Sequence, residues 1–132
     1  MIDPSRFFDR NGPLARVLTG YEERPAQRKL AQAVAEVLDA GGIAAQVVSM
    51  PSWDRFEEQS SAFKSEIFPT GIPVLSVEAG VTFGWSAYAD DSIGIDRFGA
   101  SAPGNLVLDK LGINVDHVVA RATDIVNRTT TK

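Results

Sequence analysis

The residues best placed to do chemistry lie in one short segment, Asp96-Arg97-Phe98-Gly99-Ala100-Ser101-Ala102-Pro103. Its small residues would let the backbone approach a ligand closely. A helix starting just after it would aim N–H groups at an anion. Arg97 would add a positive charge, and Gly99 and Ser101 would complete a small-molecule or anion site. The plainer reading of the same residues is a tight strand-to-helix crossover. Neither G-x-x-x-x-G-K-[ST] nor G-x-G-x-x-G occurs in the chain, so the known glycine patterns for phosphate are missing.

Other candidates carry less chemistry. His117 has the side chain suited to general base work near neutral pH, but a solvated helix position explains it as well. Glu78 follows an apolar run and could serve as an acid or base, or could anchor a turn. Trp53, Phe56 and Trp85 could stack on a ligand ring, or simply pack. Glu57-Glu58 and Asp90-Asp91 read as a solvated helix face and a turn. No Ser, His and Asp can be argued into a triad.

Composition narrows the classes further. The chain has 132 residues, of which 44% are hydrophobic and 23% charged. That suits one domain with a real core. It has no Cys, so thiolate nucleophiles, iron–sulfur clusters and Cys-based zinc sites are excluded, and its 1 His excludes the His-rich metal centres. A net charge of −4 argues against nucleic acid as a partner. No apolar run is long enough to span a membrane, and the N-terminus lacks a signal-peptide pattern. The cytoplasm is the expected location.

The elements that must position these residues follow from periodicity. Residues 25–40 read as a helix, with Leu30, Val34, Val37 and Leu38 on one face and Gly41-Gly42 as its stop. The run from Ile43 to Met50 reads as a buried strand. Ser52 should cap one helix from Trp53 to Phe63. A second strand is expected at 74–77, a short helical stretch around 84–88, and a third strand at 93–95. Helices are expected at 104–111 and from Val115, the latter capped by Asn114 and carrying Val118, Val119, Ala122, Ile125 and Val126 on one face. Residues 14–18 fit either a fourth strand or a single helical turn. Helix and strand alternate, the order of an α/β domain with a mostly parallel sheet. In such sheets ligands bind outside the carboxyl ends of the strands.

Three motifs carry a family resemblance. They are Val47-Val48-Ser49-Met50-Pro51-Ser52-Trp53 with Phe56-Glu57 and Gln59, then Val77-Glu78-Ala79-Gly80-Val81 with Gly84-Trp85, then Asp96 to Pro103 followed by Leu111-Gly112-Ile113. In this order and spacing, from about residue 30 to about residue 127, the chain resembles the C-terminal domain of transketolase. The resemblance implies a three-layer α/β/α sandwich on a mostly parallel sheet, here missing its first one or two strands. It implies a non-catalytic structural or assembly role over 29–128, with 129–132 a polar tail. In the family, thiamine diphosphate and a divalent metal are bound by preceding domains that this chain lacks. No cofactor, metal or ketol-transfer activity is therefore expected of this chain alone.

Residues 1–28 depart from that family. Within about 7–34, Gly12-Pro13-Leu14-Ala15, Gly20-Tyr21-Glu22 and Arg24-Pro25 with Gln27 resemble the segment before the core of DinG-type helicases. The combination suggests a chimera, recombined or engineered, with a natural divergent homologue as the alternative. Losing strands would leave an open sheet edge, which residues 7–18 or a second copy would cover. The expected partners are accordingly transketolase-type catalytic domains or a self-associating copy. The alternatives are an anion-binding module built on residues 96–103, or one chain of a split transketolase.

Overall fold

The computed structural model describes residues 25–130, which divide into two compact units between Phe63 and Lys64. Residues 14–18, which fit either a strand or a helical turn, and most of the helicase-like segment lie outside the described residues.

In the first unit, helix α1 (Pro25–Ala40) has the predicted bounds. Leu38 is its buried residue, Leu30 and Val34 are half-buried, and Val37 is exposed. The helix ends as Gly41-Gly42 requires. Gly42 takes φ 79°, its N–H bonds the Asp39 carbonyl at 2.9 Å, and the Ile43 N–H bonds the Leu38 carbonyl at 2.8 Å. These two bonds satisfy carbonyls that the helix would otherwise leave open.

Two expectations for this stretch are corrected. Ile43 to Met50 forms no strand among the described residues. Its β-branched, apolar character supplies only a propensity, and a strand also needs a neighbour to complete its ladder. The single helix expected from Trp53 to Phe63 is two. Helix α2 (Trp53–Glu57) is capped by Ser52, whose hydroxyl accepts the Arg55 N–H at 3.3 Å. Helix α3 (Ser61–Ile67) restarts where the Ser60 hydroxyl accepts the Phe63 N–H at 3.2 Å. Ser60 thus competes with the continuing helix for a backbone donor and wins.

The second unit holds the sheet. Strands β1 (Leu75–Val77) and β2 (Asp91–Ile93) pair in parallel, with Ser76 opposite Ser92 and their hydroxyls 2.7 Å apart. The third predicted strand is therefore displaced two residues toward the N-terminus, and Asp91, expected in a turn, is its first residue. The reason lies at the start of the pair. The Asp90 carboxylate accepts the Val74 N–H at 2.8 Å and the Val74 carbonyl accepts the Asp90 N–H at 2.9 Å, which sets the register. A 3₁₀ turn (Trp85–Ala87) lies in the connection, where Trp85 and Tyr88 meet edge to face at 6.4 Å.

Helix α4 (Gly104–Lys110) ends in the same kind of cap as α1. The Gly112 N–H bonds Asp109 and the Ile113 N–H bonds Leu108. Helix α5 (Val115–Thr130) follows after four residues and runs into the stretch expected to be tail. It packs on β1. Val118 and Ile125 of its predicted apolar face are buried with Ile93 and Ile113, and this is the core of the unit. The fold is thus the expected α/β class on a small parallel sheet, with two strands among the described residues where three or four were anticipated.

Asn114 links α4 to α5. Its side-chain oxygen accepts the His117 N–H at 2.9 Å while its amide donates to the Asp109 carboxylate at 3.0 Å. Asn114→Ala should cost about 1 kcal/mol, the usual worth of such a cap. Urea denaturation measures it, and an unchanged midpoint would refute the role.

Candidate functional site

The carboxyl ends of β1 and β2 bring two loops together, as parallel-sheet topology requires. The Glu78 N–H donates to the Ile93 carbonyl at 3.0 Å, and the Ile95 N–H donates to the Gly80 carbonyl at 2.7 Å. Asp96 then closes the junction. Its two oxygens accept the Thr82 N–H and the Thr82 hydroxyl, each at 2.8 Å. The Thr82 N–H, and then the Thr82 hydroxyl, hold the Asp96 carboxyl below its ordinary pKa.

This approach is close enough to dictate a residue. A Cβ on Gly94 would lie 2.7 Å from both the Gly80 carbonyl oxygen and the Thr82 methyl carbon. Beside the junction lies an open groove of about 260 Å³ lined by Gly94, Ile95, Asp96, Arg97 and Leu111.

The predicted site residues take clear positions. Arg97, Gly99 and Ser101 are all exposed on the loop after β2. Arg97 lines the groove, while the space around Gly99 is open. No hydrogen bond brings the three together among the described residues. The helix after them, α4, is only 7 residues long, and no side chain caps it.

His117 is exposed, as a solvated helix position would be. Its Nδ1 lies 2.7 Å from the Gly112 carbonyl, an acceptor, so Nδ1 carries the proton and donates. Glu78 ties its turn through its backbone N–H. Trp53, Phe56 and Trp85 are half-buried.

Asp91 is the residue that sequence reasoning placed wrongly. Its carboxylate reaches from β2 to Arg121 at 2.5 Å and Arg128 at 3.1 Å on α5, and Arg128 also meets Asp124 at 3.0 Å. Burial would raise the Asp91 pKa. The Ser92 N–H and the two guanidinium groups outweigh it and hold the carboxyl below its ordinary value. Nothing local signals this, because the partners lie 30 and 37 residues away. Thr82 was missed for the same reason.

Among the described residues no three His, Asp or Glu side chains gather as a metal site, and no helix is long and apolar enough to cross a membrane.

Comparison with known proteins agrees with this architecture. Residues 26–114 match the family described as the transketolase-like TK C-terminal domain. A transketolase of Halalkalibacterium halodurans is 50% identical over 91 residues, 66% of this chain and 14% of that protein. One of Bacillus subtilis is 46% identical over 86 residues, 62% of this chain and 13% of that protein. A crystal structure of Pichia stipitis transketolase superposes with a TM-score of 0.75 at 38% identity, covering 79% of this chain and 15% of that one. The chain thus spans about one seventh of the length of the curated relatives it matches. On these matches the chain belongs to the transketolase family, and residues 26–114 correspond to its C-terminal domain.

Proposed function

We propose that this chain is a non-catalytic structural and assembly domain of transketolase type, acting beside catalytic domains that it does not itself contain. One observation carries the reading: three ionisable side chains that could have done chemistry, Asp96, Asp91 and His117, are committed to holding the fold. Asp96 is spent on Thr82, Asp91 on two arginines, and His117 on a backbone carbonyl. A general acid or base must instead have a proton-transfer partner within reach in the substrate. This reading leaves thiamine diphosphate and its divalent metal to the catalytic domains. Asp96, the carboxylate that lines the groove, is already bonded within the fold, and no cluster of metal donors accompanies it among the described residues. For residues 1–28 we keep the reading of a leader of separate origin in a recombined or engineered chain; the family match begins at residue 26. The cytoplasm is the location this reading favours.

The test is a chimera. Full-length Bacillus subtilis transketolase would carry residues 26–130 of this chain in place of its own matching segment. It should fold cooperatively and keep ketol transfer, whereas the 132-residue chain alone shows none. A chimera that fails to assemble would sink the proposal. Heat released when the isolated chain is titrated with sugar phosphates would instead favour an anion-binding module on residues 96–103.

A further inference from the structure

Four exposed side chains near the Thr82–Asp96 junction take no part in the bonds of the fold. Phe83 follows Thr82 and is 88% exposed, and Phe98 lies two residues after Asp96 and is 95% exposed. Glu78 and Arg97, on the same two loops, are exposed as well. A Cβ on Gly80 would lie 3.6 Å from Glu78 Cγ, so the Glu78 side chain runs beside the residue whose carbonyl holds Ile95. Arg97 stands two residues beyond Ile95 and lines the groove. Neither charge has an ion-pair partner among the described residues, whereas Asp91, Arg121, Asp124 and Arg128 all do. Single exposed apolar residues are ordinary. Two nearly bare rings on loops bonded to each other, with Val81 60% exposed between them and an arginine beside them, have the composition of an interface.

We infer that this patch pairs with the same patch on a second copy of the chain, about a twofold axis, with Arg97 of each copy meeting Glu78 of the other and the phenylalanines packing between them. Charge selects this occupant. A twofold interface must be complementary to itself. One unpaired acid and one unpaired base per copy meet that demand, because the rotation sets each opposite its counterpart. Area sets the strength. An aromatic side chain buries on the order of 150–250 Å², so two from each copy supply roughly 600–1,000 Å². That is the low end for a specific interface, and the dimer is accordingly weak and transient. Loops already tied by Thr82 and Asp96 lose little further freedom on pairing. The pairing differs from strand addition at an open sheet edge, which would use backbone N–H and C=O groups instead of these side chains. It concerns the chain alone and does not rest on the assembly role proposed above.

Sedimentation equilibrium of the 132-residue chain tests this. Between about 10 µM and 1 mM the monomer should pass into a dimer, with a Kd inside that range. Phe83→Ser with Phe98→Ser should raise the Kd at least about tenfold. Arg97→Glu and Glu78→Arg should each do the same, since either one sets like charges opposite each other at both contacts. Mixed in equal amounts, those two charge variants should recover a dimer of wild-type strength, because every contact between them again joins an acid to a base. A chain that stays monomeric to the top of the range would overturn the inference. So would a dimer that the serine substitutions leave intact, growth beyond the dimer, or a mixture that associates no better than its parts. Circular dichroism accompanies each variant. A loss of helical signal in the serine variant would show the rings packing within the fold, and would also overturn the inference. Recovery on mixing requires folded chains, so the charge pair remains a test whatever the serine variant does.

Discussion

Gly94→Ala is expected to destabilise the protein by about 3 kcal/mol, the upper end of what overpacking costs. The added methyl carbon would sit 2.7 Å from the Gly80 carbonyl oxygen and 2.7 Å from the Thr82 methyl. A flexible side chain could turn away, but the Gly80 oxygen is backbone and is held by the Ile95 N–H at 2.7 Å. Relief therefore means separating the two loops and stretching the Thr82–Asp96 bonds. Urea denaturation would show the loss directly, as a fall in Tm of roughly 10 °C would by heating. Hydrogen exchange should find the Ile95 amide unprotected. Gly99→Ala is the control, since its Cβ would meet nothing within 4 Å. It should change stability by less than about 0.5 kcal/mol. Equal effects at the two positions would refute the close-approach argument.

Asp91→Ala should cost about 2 kcal/mol. Breaking a fully buried ion pair costs more, but Arg121 and Arg128 are 40% and 59% exposed, and water screens them. Much of the loss comes from Arg121, whose Nη2 would lose its carboxylate partner. The same bond predicts a pH dependence. The Asp91 carboxyl is held below its ordinary value of 3.8 in the folded protein. Its contribution is therefore complete above that unfolded value and is lost as pH falls from there through the lower folded value. As pH falls below 3.8 the wild type should lose stability faster than Asp91→Asn. Parallel curves for the two proteins would mean that the pair contributes nothing.

Local signals in the sequence located several elements well. Pro25 and Gly41-Gly42 bracket α1, and the i, i+4 and i+7 spacing of apolar residues marks its face. Ser52 and Asn114 announce helix starts, because a short polar side chain can satisfy a free N–H within three residues. The strands were harder. Val47-Val48 reads as strand by propensity and forms none, while Asp91 reads as turn and begins β2. Propensity describes how a residue suits a pleated surface; pairing decides whether that surface exists.

The site divides along the same line. The loop from Asp96 to Pro103 was legible as small, exposed and close to a strand end. That Asp96 would be consumed by Thr82, 14 residues earlier, was not.

What the sequence by itself determined was the class of the domain, its Cys-free and His-poor chemistry, the limits of α1 and its likeness to the transketolase C-terminal domain. Each of these depends on composition, on order along the chain or on contacts within about one helical turn. Tertiary structure alone decided the register of β1 against β2, the use of Asp91 as an anchor for α5, and the lock between Thr82 and Asp96. It also left Phe83 and Phe98 almost fully exposed. Those outcomes join residues 14 to 37 positions apart, and hydrogen bonds and close packing act over a few ångströms of space, whatever the separation along the chain.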